Sequence, residues 1–160
     1  MILDDKSTAI SIIQGGPLTP QIRGRVYFRN TIEKSVEGTM VSVRVDGLPS
    51  YQPGTDNREP VGPHGFHIHE YGNCKVGDPE DPFQAAGDHW NPYDQPHGNH
   101  AGDFPVLFSN NGMARMTFFT NKFRVKNIID RSVIIHENPD DYRTQPAGNS
   151  GRRLACGVIR

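Results

Sequence analysis

The sequence predicts an all-β domain, a sandwich or barrel of about eight antiparallel strands with two long functional loops. Three observations lead there. Among 160 residues stand 17 glycines and 13 prolines, and both residue types interrupt helices. Apolar residues recur with a period of two, the mark of half-buried strands. Short turn signals separate the apolar runs, and the length suits a single domain spanning 1–160.

The strands are expected in order as follows. Thr8–Ile13 is a short apolar run closed by Gly15-Gly16-Pro17. In Ile22–Arg29 the apolar or small residues hold the even positions and arginines the odd ones. In Val41–Asp46 three valines face one way and three polar groups the other, and Gly47-Leu48-Pro49 turns the chain. Gly65–Tyr71 and Phe104–Ser109 follow, then Asn110-Asn111-Gly112 as a hairpin turn into Ala114–Thr120. Ser132–His136 and Arg153–Ile159 complete the set. Residues 76–103 and 138–152 are rich in proline and glycine and read as loops. Loops of that length are commonly functional.

Composition excludes several classes of function. The formal net charge is −1, which speaks against a nucleic-acid or anionic-membrane partner for the chain as a whole, a local basic patch aside. No apolar run approaches the length of a membrane span. Met1-Ile2-Leu3-Asp4-Asp5-Lys6 places acids where a signal peptide carries a basic segment, so a cytoplasmic protein is expected, or an exported mature form. Cys74 and Cys156 leave two readings open, a disulfide pinning the first loop to the sheet or two buried thiols.

The histidines carry the chemistry. His67 and His69 alternate with apolar residues, so their imidazoles leave one face of a strand and can converge on one ion. His89, His97, His100 and Asp103 lie close together in the first loop. Three imidazoles and a carboxylate make a closed four-coordinate zinc set that would fasten an irregular loop. His136 ends an apolar run and His64 precedes Gly65; each alone reads as structural. Imidazole-rich ligation without sulfur suits copper or zinc rather than magnesium or calcium.

Taken together, five motifs closely resemble the copper/zinc superoxide dismutases. They are Gly65-Phe66-His67-Ile68-His69-Glu70; His89-Trp90-Asn91-Pro92; His97-Gly98 with His100-Ala101-Gly102-Asp103; Val133-Ile134-Ile135-His136-Glu137; and Gly148-Asn149-Ser150-Gly151-Arg152-Arg153-Leu154-Ala155-Cys156-Gly157. The resemblance is dense from His64 to Arg160 and rests on strand pattern before that. It implies a Greek-key barrel and the disproportionation of superoxide to dioxygen and hydrogen peroxide, by alternate reduction and oxidation of a His-ligated copper. It assigns copper to His67, His69, His89 and His136, and a structural zinc to His89, His97, His100 and Asp103, with His89 bridging. It makes Arg153 the anion-docking residue and His89 a proton carrier. Asp140 would accept hydrogen bonds from His67 and His97, and Cys74 and Cys156 would form the disulfide. The implied partner is superoxide, with no nucleic acid and no membrane; a homodimer is one of the states the family adopts.

The sequence departs from the common pattern in four places. His97 and His100 are only three apart, and the segment from Asp140 to Arg153 is short. That segment lacks the usual charged cluster, which leaves Arg143, Arg152 and Arg153 as the expected source of attraction. Ala147 and Asp88 replace the family's usual residues at the entrance and before the bridging histidine. A metal-holding protein without catalysis is the competing reading; the full ligand set together with Arg153 favours the enzyme.

Overall fold

The computed structural model describes residues 6–160. Met1–Asp5, on which the reading of the chain's start rests, lies outside the described residues. Among the described residues seven strands form one antiparallel sheet: β1 (Thr8–Gly15), β2 (Arg23–Glu33), β3 (Val36–Asp46), β4 (Phe66–His69), β5 (Ala114–Thr120), β6 (Ser132–His136) and β7 (Arg153–Val158). Their order is β4-β6-β7-β1-β2-β3-β5. Three consecutive strands are flanked by β7, which returns beside β1, the Greek-key pattern. The sheet curls around its core as a half-barrel.

Alternation sets which face is inside. Val26 and Phe28 of β2 and Val41, Val43 and Val45 of β3 are buried, while the arginines between them face solvent. Phe66, Ile68, Val133 and Ile135 continue the core, and Phe104, Leu107, Phe123 and Trp90 close it from the loops. β2 and β3 run further than their sequence pattern suggests. They meet in a two-residue turn, Lys34-Ser35, where both residues take positive φ (47° and 68°). That geometry matches the strand twist, but no glycine or asparagine marks it in the sequence.

The eighth expected strand, Phe104–Ser109, is not a strand. It meets the chain before β4 through one isolated bridge, Leu107 to His64. Pro105 interrupts it, because proline cannot donate to a ladder.

Ile134 and Cys156 point to the outside of the sheet, where Phe83, Ala86 and Cys74 of the first loop pack on them in a second small core. Cys74 and Cys156 form a disulfide there, 82 residues apart in sequence. Closing so long a loop restricts the unfolded chain. Cys156→Ser is therefore expected to lower unfolding free energy by about 2–5 kcal/mol. Chemical denaturation of oxidised wild type against the variant measures it, and equal midpoints would refute it.

Candidate metal centre

β4 is buried on both faces. Phe66 and Ile68 enter the core, so His67 and His69 emerge together on the other side, ring centroids 6.3 Å apart. β6 pairs with both β4 and β7, and its register against β7 slips between Ile135 and His136. Such an irregularity re-aims a side chain, and here it sets His136 opposite Arg153. The first loop then runs back along β4, with bridges that hold His89 to His69 and Asp103 to His67.

The result is two clusters able to hold metal ions, His67–His69–His89–His136 and His89–His97–His100–Asp103. In each, one ligand atom per residue lies within 4.8 Å of the others. All six histidines are buried. His64 stays outside both clusters; its ring bonds the His136 carbonyl at 2.8 Å, a structural role as expected.

The ring nitrogens divide cleanly. One nitrogen of each of several rings is held from outside the cluster. His67 Nε2 and His97 Nε2 bond the two oxygens of Asp140 at 2.6 and 2.8 Å. His69 Nδ1 meets the Gly87 carbonyl at 2.9 Å and His136 Nδ1 that of Gly151 at 3.2 Å. The opposite nitrogens face one another. His69 Nε2 and His136 Nε2 stand 3.2 Å apart. His67 Nδ1, His89 Nε2, His97 Nδ1 and His100 Nδ1 are buried with no hydrogen-bond partner. Buried polar atoms are ordinarily paired, so four orphans aimed into two clusters fit the donor set of a pair of cations. His89 belongs to both sets: Nε2 is orphaned and Nδ1 lies 3.2 Å from Asp103 Oδ1. Asp103 also accepts from the Gly98 and His100 amides at 2.9 and 3.0 Å, which aims its carboxylate.

Burial, and then the mutual charge of neighbouring imidazoles, lowers the pKa of His67 and His69 well below the usual range. His136 falls to about 3, through burial first and His89 next. Neutral imidazole is the form that ligates a metal. Between pH 6.5 and about 3 the unfolded chain binds a proton at His136 that the folded chain refuses. Stability therefore falls as pH drops through that window, by about 5 kcal/mol from His136 alone. His67 and His69 add in the same direction. Denaturation midpoints of chelator-stripped protein at pH 7 and pH 4 test this; a flat profile would refute it.

A cavity of about 480 Å³ opens onto the clusters, lined in part by His89, His136, Arg153, Ala147, Glu70 and Asp88. Burial lowers the Arg153 pKa, opposed by the carboxylates of Asp88 and Asp81. One of its N–H groups donates to the Phe83 carbonyl at 2.9 Å, which anchors it to the disulfide-pinned loop. Of the three arginines expected to supply attraction, only Arg153 lines the cavity. Arg152 is neutralised by Glu137 through two bonds of 2.8 and 2.9 Å. Two supports carry no sequence signal. Gln145 accepts the His97 amide at 2.8 Å, and Lys122 donates to the His100 carbonyl at 3.1 Å. Both lie far from their partners in sequence, and neither belongs to a motif.

The fold and the site define an all-β half-barrel protein with two clusters of potential metal ligands that share His89. Comparison with known proteins names the family. The family model for copper/zinc superoxide dismutase matches residues 22–159. The Cu-Zn superoxide dismutase of Deinococcus radiodurans is 38% identical over 154 residues, covering 86% of this chain and 79% of its own. Superoxide dismutase 2 of the Cu-Zn type from Aquifex aeolicus is 35% identical over 152 residues, covering 86% and 81%. The crystal structure of a double mutant of a SOD-like protein from Bacillus subtilis superposes with a TM-score of 0.68 at 30% identity, over 93% of this chain and 95% of that one. The chain belongs to the copper/zinc superoxide dismutase family, which implies copper and zinc as its cofactors. No helix among the described residues is long and apolar enough to cross a membrane.

Proposed function

We propose that this protein is a superoxide dismutase in which His67, His69, His89 and His136 hold copper and His89, His97, His100 and Asp103 hold zinc. Family membership supports the activity. The two clusters sharing His89 support the assignment, since its two ring nitrogens face different clusters. Two superoxide anions and two protons become one dioxygen and one hydrogen peroxide. Bound copper supplies the one-electron chemistry in both directions, and zinc a fixed template charge.

The chain's own residues do the rest. Arg153 lines the cavity beside His136 and presents a permanent, forked positive charge to a small anion. Its charge also disfavours protonation of His69 and His136. His89 Nε2, buried and unpartnered by protein, is the atom placed to hold a proton beside the docked anion. Asp140 and the Gly87 and Gly151 carbonyls fix which nitrogen of each ring faces inward. Glu70 and Asp88 set negative charge along the same cavity, so attraction depends on Arg153.

The test is superoxide decay after pulse radiolysis, with protein reconstituted with copper and zinc. Decay far faster than in buffer is expected. One copper bound per chain with no acceleration would favour metal holding without catalysis. Arg153→Ala is expected to slow turnover by about 100-fold or more, the scale on which one positioned donor contributes, and to flatten its dependence on ionic strength. An unchanged rate would show that the anion docks elsewhere.

A further inference from the structure

The outer face of β2, β3 and β5 carries arginines that the metal centre does not use. Arg25, Arg44 and Arg115 stand directly opposite one another across these three neighbouring strands, and all are exposed. Strands in a sheet lie about 4.8 Å apart, so the three side chains leave the backbone within about 10 Å. Like charges placed directly opposite destabilise a sheet. Arg23 and Arg29 share the outward face of β2 and extend the array along the strand. Asp46, opposite Arg23 and 4.0 Å from Arg115, is the one carboxylate that reaches this array among the described residues. Arg25, Arg29 and Arg44 have no ion-pair partner there, whereas Arg124, Arg152 and Arg160 are each matched to an acid.

Apolar side chains interleave with the charges. Ile12 pairs opposite Arg25 and is 55% exposed; the next row carries Ile10 opposite Tyr27, both exposed. Ile12, Arg23, Gly24, Arg25, Arg44 and Asp46 surround a shallow depression of about 290 Å³. None of these residues lines the cavity over the metal clusters.

We infer that this face docks the protein peripherally on an anionic phospholipid surface, with the arginines on lipid phosphates and Ile12 and Tyr27 among the headgroups. Guanidinium forks match phosphate oxygens. The charges spread in two dimensions, three across the strands and three along β2. That suits a planar array of phosphates better than a linear polyanion, which would follow one row. Exposed Ile12 gains from a headgroup layer and gains nothing from a soluble polymer. The near-zero net charge hides the patch, because the balancing acids lie elsewhere.

Flotation of the metal-loaded protein with vesicles tests this. Retention is expected on phosphatidylcholine vesicles containing phosphatidylglycerol, weakening with salt, and none on phosphatidylcholine alone. Each arginine near a charged bilayer contributes about fivefold in affinity, so the Arg25→Gln/Arg44→Gln double variant should bind roughly 25-fold more weakly. Its thermal midpoint should hold or rise as repulsion is relieved. Ile12→Ser should weaken binding at unchanged charge. No retention on anionic vesicles, or equal retention of the double variant, overturns the proposal. Capture by immobilised polyphosphate with no vesicle binding overturns the lipid assignment in favour of a polyanion, and unchanged vesicle binding by Ile12→Ser overturns the placing of Ile12 among the headgroups. All readouts are independent of superoxide turnover.

Discussion

Replacing His136 by alanine is expected to reduce superoxide turnover on the order of 10³-fold or more, the scale on which members of one catalytic unit fall. His136 Nε2 stands 3.2 Å from His69 Nε2 and faces the four-histidine cluster, and the ring borders the cavity beside Arg153. Removing it opens one side of the four-histidine cluster proposed to hold copper. The fold should persist, because β6 keeps its ladders to β4 and β7 through Val133, Ile134 and Ile135. Zinc should be retained, since His89, His97, His100 and Asp103 remain. The measurement is superoxide decay together with metal content per chain. Wild-type turnover by a variant that still binds copper would remove His136 from the ligand set.

Asp140→Ala carries the second large effect, because one carboxylate serves both clusters. Its Oδ2 accepts from His67 and its Oδ1 from His97, and Oδ1 also accepts the Tyr142 amide at 2.7 Å. Residues that orient metal-bound histidines typically contribute 10- to 100-fold in affinity or activity. Loss of Asp140 frees the rotation of a ring in each cluster. Affinity for both metals should fall by about 10–100-fold, read as metal content after dialysis against a graded chelator. Asp140→Asn should do nearly as badly, since an amide offers one acceptor where two ring N–H groups need one each. Wild-type retention of both metals by Asp140→Asn would show that the hydrogen bonds do not hold the rings. Gly148 has no room for a side chain beside Asp140 and His97, which ties the second loop's path to the same carboxylate.

Much of the architecture is legible in the sequence. Alternation in Ile22–Arg29 and Val41–Asp46 reports which side chains enter the core, because a strand turns successive residues to opposite faces. The pairing of His67 with His69 is legible for the same reason. The expected strand at Phe104–Ser109 shows the limit: the run is apolar, but Pro105 inside it cannot donate to a ladder and only Leu107 forms a bridge. The Lys34-Ser35 turn was invisible because neither residue signals positive φ.

At the centre, the residue types and their order were present in the chain, and so was the likeness to a family. Local spacing determined the His-x-His pair and the His100–Asp103 neighbourhood. That Cys74 meets Cys156 and that Asp140 bonds His67 and His97 is implied by the family likeness and not by spacing; the tertiary structure supplies both contacts. Only it showed that Arg152 is spent on Glu137 while Arg153 reaches the cavity, and that arginines from three strands align on one face. The reason is physical. Period and spacing act within a few residues, whereas each of these contacts joins segments whose meeting depends on sheet order, register and the path of two long loops.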